Sequence, residues 1–264
     1  MHGTLKKNIL MEVNRMLAVV TGSSGDIGEN ICKKLIQNKF QVIGIDCINP
    51  SFKDDNYQHI KFDISTIISR SAIDKITDEI MISADYFKRN KINLLVNNAG
   101  VQNLGHLDEI EIDDWLNSFN VNLFAPFFLI QSLLNRFDSK NGSVINISSI
   151  NSKLTKPRFI SYATSKAALS ALTRNIAVDI GNKIRINAIE PAAIETKMLI
   201  SGLKSSPEEN LLSKIKDCHP QKRIGNPDEI SELVLSIFSG NLKFLHGACI
   251  SIDGGISSRL FDPE

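Results

Sequence analysis

The sequence is short of cysteine, of net charge and of long apolar runs, and each shortage excludes something. Only four cysteines, Cys32, Cys47, Cys218 and Cys249, are spread over 264 residues. None forms a C-x-x-C pair and no histidine cluster stands beside them, so neither a zinc site nor a disulfide framework is expected. The expectation is four reduced, mostly buried thiols in a cytoplasmic protein. Thirty Lys and Arg against twenty-nine Asp and Glu leave a net charge of +1, which makes no electrostatic case for nucleic acid or an anionic membrane as partner. With 42% hydrophobic and 22% charged residues, the chain is neither disordered, nor collagen-like, nor a bundle of membrane spans. It has no low-complexity tract, Gly/Ser linker or break in composition, so one domain over 16–264 is the simplest organisation. Residues 1–15 are polar and irregular; Glu12, Asn14 and Arg15 interrupt the only apolar stretch there, which makes a poor signal peptide. They read as a leader without an assigned role, with Met11 and Met16 as alternative starts.

What the chain does have is alternation. Short apolar runs at Met16–Thr21, Gln41–Asp46, His59–Phe62, Ile92–Val96, Ser143–Ser148, Lys183–Ile189 and Ala248–Ile252 read as strands. Between them, helical periodicity covers Ile27–Asn38, much of Ser65–Asn90, Ile112–Asn135 around an awkward Pro126, Ile160–Ile180 and Pro227–Ser239, the last opened by proline at its first position. Residues 195–218 form a helical, loop-rich excursion. Continuous apolar strands separated by helices predict an α/β fold with a parallel sheet of about seven strands, covered on both faces.

The first strand runs straight into Thr21-Gly22-Ser23-Ser24-Gly25-Asp26-Ile27-Gly28 and then a helix. A glycine-rich turn at that place lets a phosphate approach the backbone and sets it on the positive end of the helix dipole. Glycine strings alone are common in loops, but here a strand precedes, a helix follows, and Asp46 ends the second strand eighteen residues beyond Gly28. A carboxylate there accepts hydrogen bonds from adenosine ribose hydroxyls and repels a 2′-phosphate. Cys47 and Ile48 bring no positive charge, so NAD is expected over NADP. As a rival reading, Asp46 is only a strand-end turn carboxylate.

Tyr162 and Lys166 stand one helical turn apart on one face, and Ser149 lies thirteen residues upstream at a strand end. A phenol ionises near pH 10, and bringing it to about 7 takes roughly 4 kcal/mol of preference for the anion. One ammonium about 4 Å away in a partly shielded site is of that order, so the pair can serve as an acid/base. Taken alone the pair is also read as a packed tyrosine beside a solvated lysine.

With these motifs in hand, the chain resembles the short-chain dehydrogenase/reductase family from Met16 to Gly255. The resemblance rests on TGSSGDIG at 21–28, Asp63, NNAG at 97–100, VN at 121–122, ISS at 147–149, YATSK at 162–166, NAIEP at 187–191, IET at 194–196, RIG at 223–225 and IDGG at 252–255. It implies a single Rossmann-type, doubly wound domain and an NAD(H)-dependent enzyme interconverting a secondary alcohol and a ketone. By resemblance, Tyr162 is the acid/base, Lys166 lowers its pKa and holds the nicotinamide ribose, Ser149 polarises the carbonyl, and Asn122 holds a relay water. The cofactor-binding set implied is Gly22, Ser24, Gly25, Asp26, Ile27, Gly28, Asp46, Asp63, Ile64, Asn98, Ala99, Gly100, Tyr162, Lys166, Pro191, Ile194 and Thr196, with no metal ligand. Asn97 either braces the sheet or touches the cofactor. A homotetramer or homodimer is implied as well; Phe119, Phe124, Phe127 and Phe128 suit such an interface and equally an ordinary core.

Two positions depart from the family's pattern. Its usual glycines fall second, sixth and eighth in the first motif; here they fall second, fifth and eighth, with Asp26 at the sixth. That carboxylate either caps the helix or disfavours a pyrophosphate. The spacing also resembles a sugar-nucleotide-acting branch, although the chain lacks the length for that branch's extra domain. Ala192 stands where glycine commonly follows the proline. The substrate is open between an acyl-thioester ketone, a sugar-derived ketone and a small polyol, with 195–218 as a lid. A non-catalytic NAD-binding regulator on the same fold is the alternative from another class.

Overall fold

The computed structural model describes residues 15–204, 210–240 and 242–260. The expected leader lies outside them except for Arg15, whose guanidinium donates to the Asn56 side-chain oxygen. Seven parallel strands form one sheet: β1 (Met16–Thr21), β2 (Phe40–Asp46), β3 (Tyr57–Lys61), β4 (Leu94–Asn97), β5 (Ser143–Ile147), β6 (Arg185–Pro191) and β7 (Cys249–Ile252). Their order is β3-β2-β1-β4-β5-β6-β7. The winding reverses between β1 and β4, and in such a sheet the crevice for ligands lies at the carboxyl ends beside that switch.

Period-two alternation divides each buried strand between two cores. Leu17, Val19, Ile43, Ile45, Leu95 and Val144 face one side, where they meet helices α2 (Arg70–Tyr86), α4 (Ala125–Leu133) and α5 (Ile160–Ile180). Ala18, Val20, Val42, Val96, Ile145 and Ile189 face the other, against α1 (Asp26–Gln37) and α8 (Pro227–Ser239). Because both faces are covered, the central strands are predominantly apolar, β1 most completely. Helix α8 starts as its sequence indicates: Asn226 accepts from Glu229 N while Glu229 reaches back to Asn226 N, with Pro227 in the first turn. Arg223 clamps the same Glu229 at 2.7 and 2.8 Å and holds its carboxyl down at about 2.

Several boundaries differ from the periodicity, each for a local reason. The stretch after β3 is a single 3-10 turn at Ile64–Thr66, and α2 begins only after Ser69, whose hydroxyl accepts from Ala72 N. Strand β6 runs two residues further than expected because Pro191 still pairs with Ile252 on β7. The segment around Pro126 is three pieces: α3 (Ile112–Phe119), a wide π turn (Asn120–Phe124) and α4. Proline sits in the first turn of α4, where its missing N–H costs least. The excursion contains α6 (Lys197–Lys204) and α7 (Leu211–Cys218). Two of the four thiols, Cys47 and Cys218, are exposed, against the expectation of mostly buried ones; Cys47 follows the end of β2 and Cys218 ends α7.

The turn between β1 and α1 is the tightest place near the crevice. A Cβ on Gly28 would stand 1.9 Å from the Gly22 carbonyl oxygen, and Gly22 itself has φ +64° with Ala99 Cα 2.7 Å from the Cβ position. Gly25 is different: its φ is −78° and a Cβ would meet only the Gly22 oxygen at 3.6 Å. Gly28→Ala is therefore expected to cost roughly 1–3 kcal/mol through forced overlap of backbone atoms. Gly25→Ala is expected to cost under about 1 kcal/mol. Urea denaturation of both variants checks this, and equal losses would refute the steric account.

Candidate active site

The crevice is a cleft of about 470 Å³ over the ends of β1, β2 and β4. Thirteen expected cofactor residues line it: Gly22, Ser24, Gly25, Asp26, Ile27, Gly28, Asp46, Asp63, Ile64, Asn98, Ala99, Gly100 and Thr196. Sequence reasoning did not assign Ile45, Cys47, Ile48, Phe62, Val101, Val121, Lys197 and Met198, which share that lining; Val121 belongs to the VN motif and the others lie within two residues of a motif residue or a strand-end acid, which was the available signal. Pro191 and Ile194 are not part of this lining. Pro191 ends β6, and buried Ile194 bridges to Gly225.

The cleft's shape is held by side chains that the sequence assigned to the cofactor. Asn98 donates to the carbonyls of Thr21 and Gly22, both at 3.0 Å, and the Thr21 hydroxyl accepts from the backbone of Asn98 and Ala99 at 3.1 Å. Asp46 accepts from Ser24 N at 3.0 Å and from Ile48 N at 3.1 Å, tying the glycine turn to the end of β2. Asp63 caps its 3-10 turn through Ser65 N, and Thr196 caps α6 through Leu199 N. Asn97 takes the bracing option, donating to Asn146 at 2.8 Å. Asp26 does not cap α1, whose N-cap is Gly25 without a side-chain hydrogen bond. Instead its carboxylate accepts from Lys197 N at 2.5 Å and pairs with Lys197 Nζ at 3.7 Å.

A nicotinamide dinucleotide suits this cleft on three observations. The backbone is bare at Gly22 and Gly28, where a side chain has no room. The first turn of α1 presents unpaired N–H groups to the cleft. Among the lining residues three carboxylates, Asp26, Asp46 and Asp63, stand against one cation, Lys197.

Two of the expected catalytic residues, Lys166 and Asn122, approach the cleft at Gly100; neither they nor Tyr162 and Ser149 belong to its lining. A Cβ on Gly100 would meet Lys166 Nζ at 3.3 Å and Asn122 Oδ1 at 3.4 Å. Lys166 is 3% exposed, and its ammonium donates to the Ile147 carbonyl at 2.8 Å. Desolvation lowers its pKa to about 8. Tyr162, one turn earlier on α5, has its ring centroid 5.9 Å from that nitrogen. Its phenol is raised above the ordinary value by burial, and a hydrogen bond with Ser149 partly opposes the rise. The Lys166 ammonium is aimed at the end of β5, and in this structure the raised phenol is set by its burial and by Ser149. Ser149 opens a 3-10 turn, accepting from Asn151 N at 3.1 Å. Asn122, in the π turn, accepts from Val101 N at 2.9 Å and donates to Val101 O and Ser165 Oγ. Its amide ties the loop after β4 to α5.

Comparisons with known proteins agree with this geometry. A family profile described as enoyl-(acyl carrier protein) reductase matches residues 24–257. The chain is 28% identical over 248 residues to a 3-oxoacyl-(acyl-carrier-protein) reductase of Buchnera aphidicola, covering 93% of this chain and 99% of that one. Among solved structures it is similar to the ligand-free aldohexose dehydrogenase of Thermoplasma acidophilum, with TM-score 0.86 and 28% identity over 96% of this chain and 98% of that one. It is also similar to a 4-hydroxyisoleucine dehydrogenase complexed with NADH, with TM-score 0.82 and 26% identity over 93% of this chain and 100% of that one. The chain belongs to the short-chain dehydrogenase/reductase family and is a nicotinamide-dependent oxidoreductase acting on CH–OH groups.

Proposed function

We propose that this enzyme interconverts a secondary alcohol and a ketone with NAD(H), using Tyr162 as acid/base, Ser149 as carbonyl partner and Lys166 as the fixed cation. The observation that carries the proposal is the grouping of Tyr162 with Ser149 and with Lys166, whose ammonium reaches Gly100 on the lining of the cleft. When bound, the nicotinamide supplies or accepts the hydride. In reduction, Tyr162 gives its proton to the developing alkoxide, and burial keeps that phenol protonated and ready to act as the acid. Ser149 shares a hydrogen bond with the same phenol and orients the carbonyl oxygen. Lys166 is a cation below about pH 8, and its fixed charge favours the transient tyrosinate. Asn122, fixed by Val101 and Ser165, holds the water of the proton relay.

Substrate class stays between a 3-oxoacyl thioester and a sugar-derived ketone or hemiacetal; relatives of both kinds are similar to the chain. Tyr162→Phe is expected to lower kcat by roughly 10²–10⁴-fold, with NADH affinity little changed. Ethyl acetoacetate with NADH and D-glucose with NAD are the two assays. Turnover surviving in the variant would sink the assigned role.

NAD is favoured over NADP by Asp46, which presents a carboxylate at the end of β2, and by Lys197 being the one cation of the cleft lining and already paired with Asp26. Fluorescence titration should give tighter NADH than NADPH binding, with Asp46→Ala narrowing the gap by roughly tenfold or more. Tighter NADPH binding by the parent enzyme would reverse the assignment. Four free thiols suit a reducing compartment such as the cytoplasm.

Self-association is favoured by a stripe on α3 and the π turn. Trp115 stacks on Phe119 at 5.2 Å, Phe119 meets Phe124 at 6.3 Å, and Ile112, Leu116 and Phe124 are exposed beside them. Such a patch suits a second copy. Sedimentation velocity should give a mass that is a multiple of the 29.3 kDa chain; a monomer at all concentrations would exclude it.

A further inference from the structure

Glu190, inside the NAIEP motif on β6, has no part in the chemistry above, yet it is a carboxylate with 0% exposure. Burying such a charge is costly unless every lone pair is answered, and here the answers come from several elements. Ser152 and Ser170 both donate to Oε1 at 2.8 Å. Lys153 Nζ stands 2.6 Å from Oε2, and Ser251 Oγ donates to the same oxygen at 3.5 Å. These donors outweigh burial and hold the carboxyl below its ordinary value.

The partners are placed around the reacting groups. Ser152 and Lys153 belong to the turn that Ser149 opens, and Ser152 N donates to Ser149 O at 3.0 Å. On the other side, Ser170 Oγ lies 2.9 Å from Ser148 Oγ, which in turn donates to the Lys166 carbonyl at 3.0 Å. One buried carboxylate therefore grips the turn carrying Ser149 and the stretch of α5 carrying Tyr162 and Lys166. We propose that Glu190 is a positioning residue that fixes Ser149 against Tyr162 by anchoring Ser152 and Lys153 to β6 and α5. The inference rests on the reading of Ser149 and Tyr162 given above. Nothing passes to or from Glu190 during turnover; it sets the distance between two groups that do react, and small displacements of such groups are expensive in rate.

The test reads the phenol directly. Ser149 lowers the Tyr162 ionisation, so loosening Ser149 raises it. Tyrosinate absorbance is titrated in the parent protein, Glu190→Ala, Glu190→Gln and Ser152→Ala, with Tyr162→Phe subtracted to isolate this phenol. In Glu190→Ala and Ser152→Ala the Tyr162 transition is expected to move to higher pH by roughly half a unit. In assays with the ethyl acetoacetate or glucose probe, kcat is expected to fall roughly 10- to 100-fold in Glu190→Ala, with NADH affinity unchanged. Glu190→Gln keeps the oxygen that accepts from Ser152 and Ser170 and loses the Lys153 pair and the long Ser251 contact, so it should restore most of the parent transition and of kcat. Ser152→Ala leaves no unpaired charge and decides the matter if Glu190→Ala does not fold. A phenol transition at the parent position in every folded variant of Glu190→Ala and Ser152→Ala, or kcat within twofold of the parent in them, overturns the inference. If instead Tyr162→Phe retains full turnover, the catalytic reading fails, and the titration still reports whether Glu190 and Ser152 hold Ser149.

Discussion

The ammonium of Lys166 is buried, and among the described residues no carboxylate pairs with it; the Ile147 carbonyl at 2.8 Å is what holds it. A buried charge kept by a single backbone oxygen is costly, and the lowered pKa of about 8 records that cost. The same bond does structural service. It joins the first turns of α5 to the end of β5, and because Tyr162 lies one turn earlier on α5, the bond also fixes the height of the phenol above the sheet. Shifting α5 by a fraction of a turn would break it, and would carry Tyr162 away from Ser149 and the Lys166 ammonium away from Gly100. Position and electrostatics are thus set by one contact, which is why neither can be relaxed alone.

Beneath α5 the sheet turns polar in an ordered way. On β5 and β6, Ile145, Ile147 and Ile189 face the apolar layer under α1 and α8. The alternate positions carry Asn146, Ser148 and Glu190 toward α5, and each finds its partner there: Asn146 donates to Thr173, Ser148 approaches Ser170, and Ser170 donates to Glu190. Buried polar groups of this kind specify one register, since a slip by one residue would bury them against isoleucine and leave every donor unsatisfied. The interface that positions the reacting groups therefore gains its definition from hydrogen bonds, while the opposite core gains its stability from apolar area.

The strand and helix plan could be read from alternation because burial on both faces leaves an unbroken apolar signature, as in Met16–Thr21. The active-site residue types could be read because their chemistry is rare in combination. What could not be read was the use to which polar side chains are put. Asn98, Asp63 and Thr196 line the cleft and carry groups that suit a cofactor, and sequence offers no way to see that their atoms also close turns. Glu190 escaped for the opposite reason: an acid between isoleucine and proline on a strand looks like a solvated edge until Ser152, Lys153, Ser170 and Ser251 are seen around it. The π turn was likewise hidden, since Pro126 only signals that something gives way, and the direction of the break depends on how α4 packs on the sheet.

Asp26 shows how such a departure is accommodated. A carboxylate at the first position of α1, where the family keeps glycine, places negative charge beside the site that should receive a pyrophosphate. In isolation that would weaken anion binding at the helix terminus. The fold diverts it. One oxygen is taken by Lys197 N and the other stands near Lys197 Nζ, so the charge is directed at the start of α6 and partly neutralised there. The glycine that the sixth position gives up is not needed sterically one residue earlier either, because a side chain at Gly25 would meet only ordinary contact. The turn keeps the two glycines that the backbone requires, at 22 and 28, and the freed position holds the excursion against the mouth of the cleft.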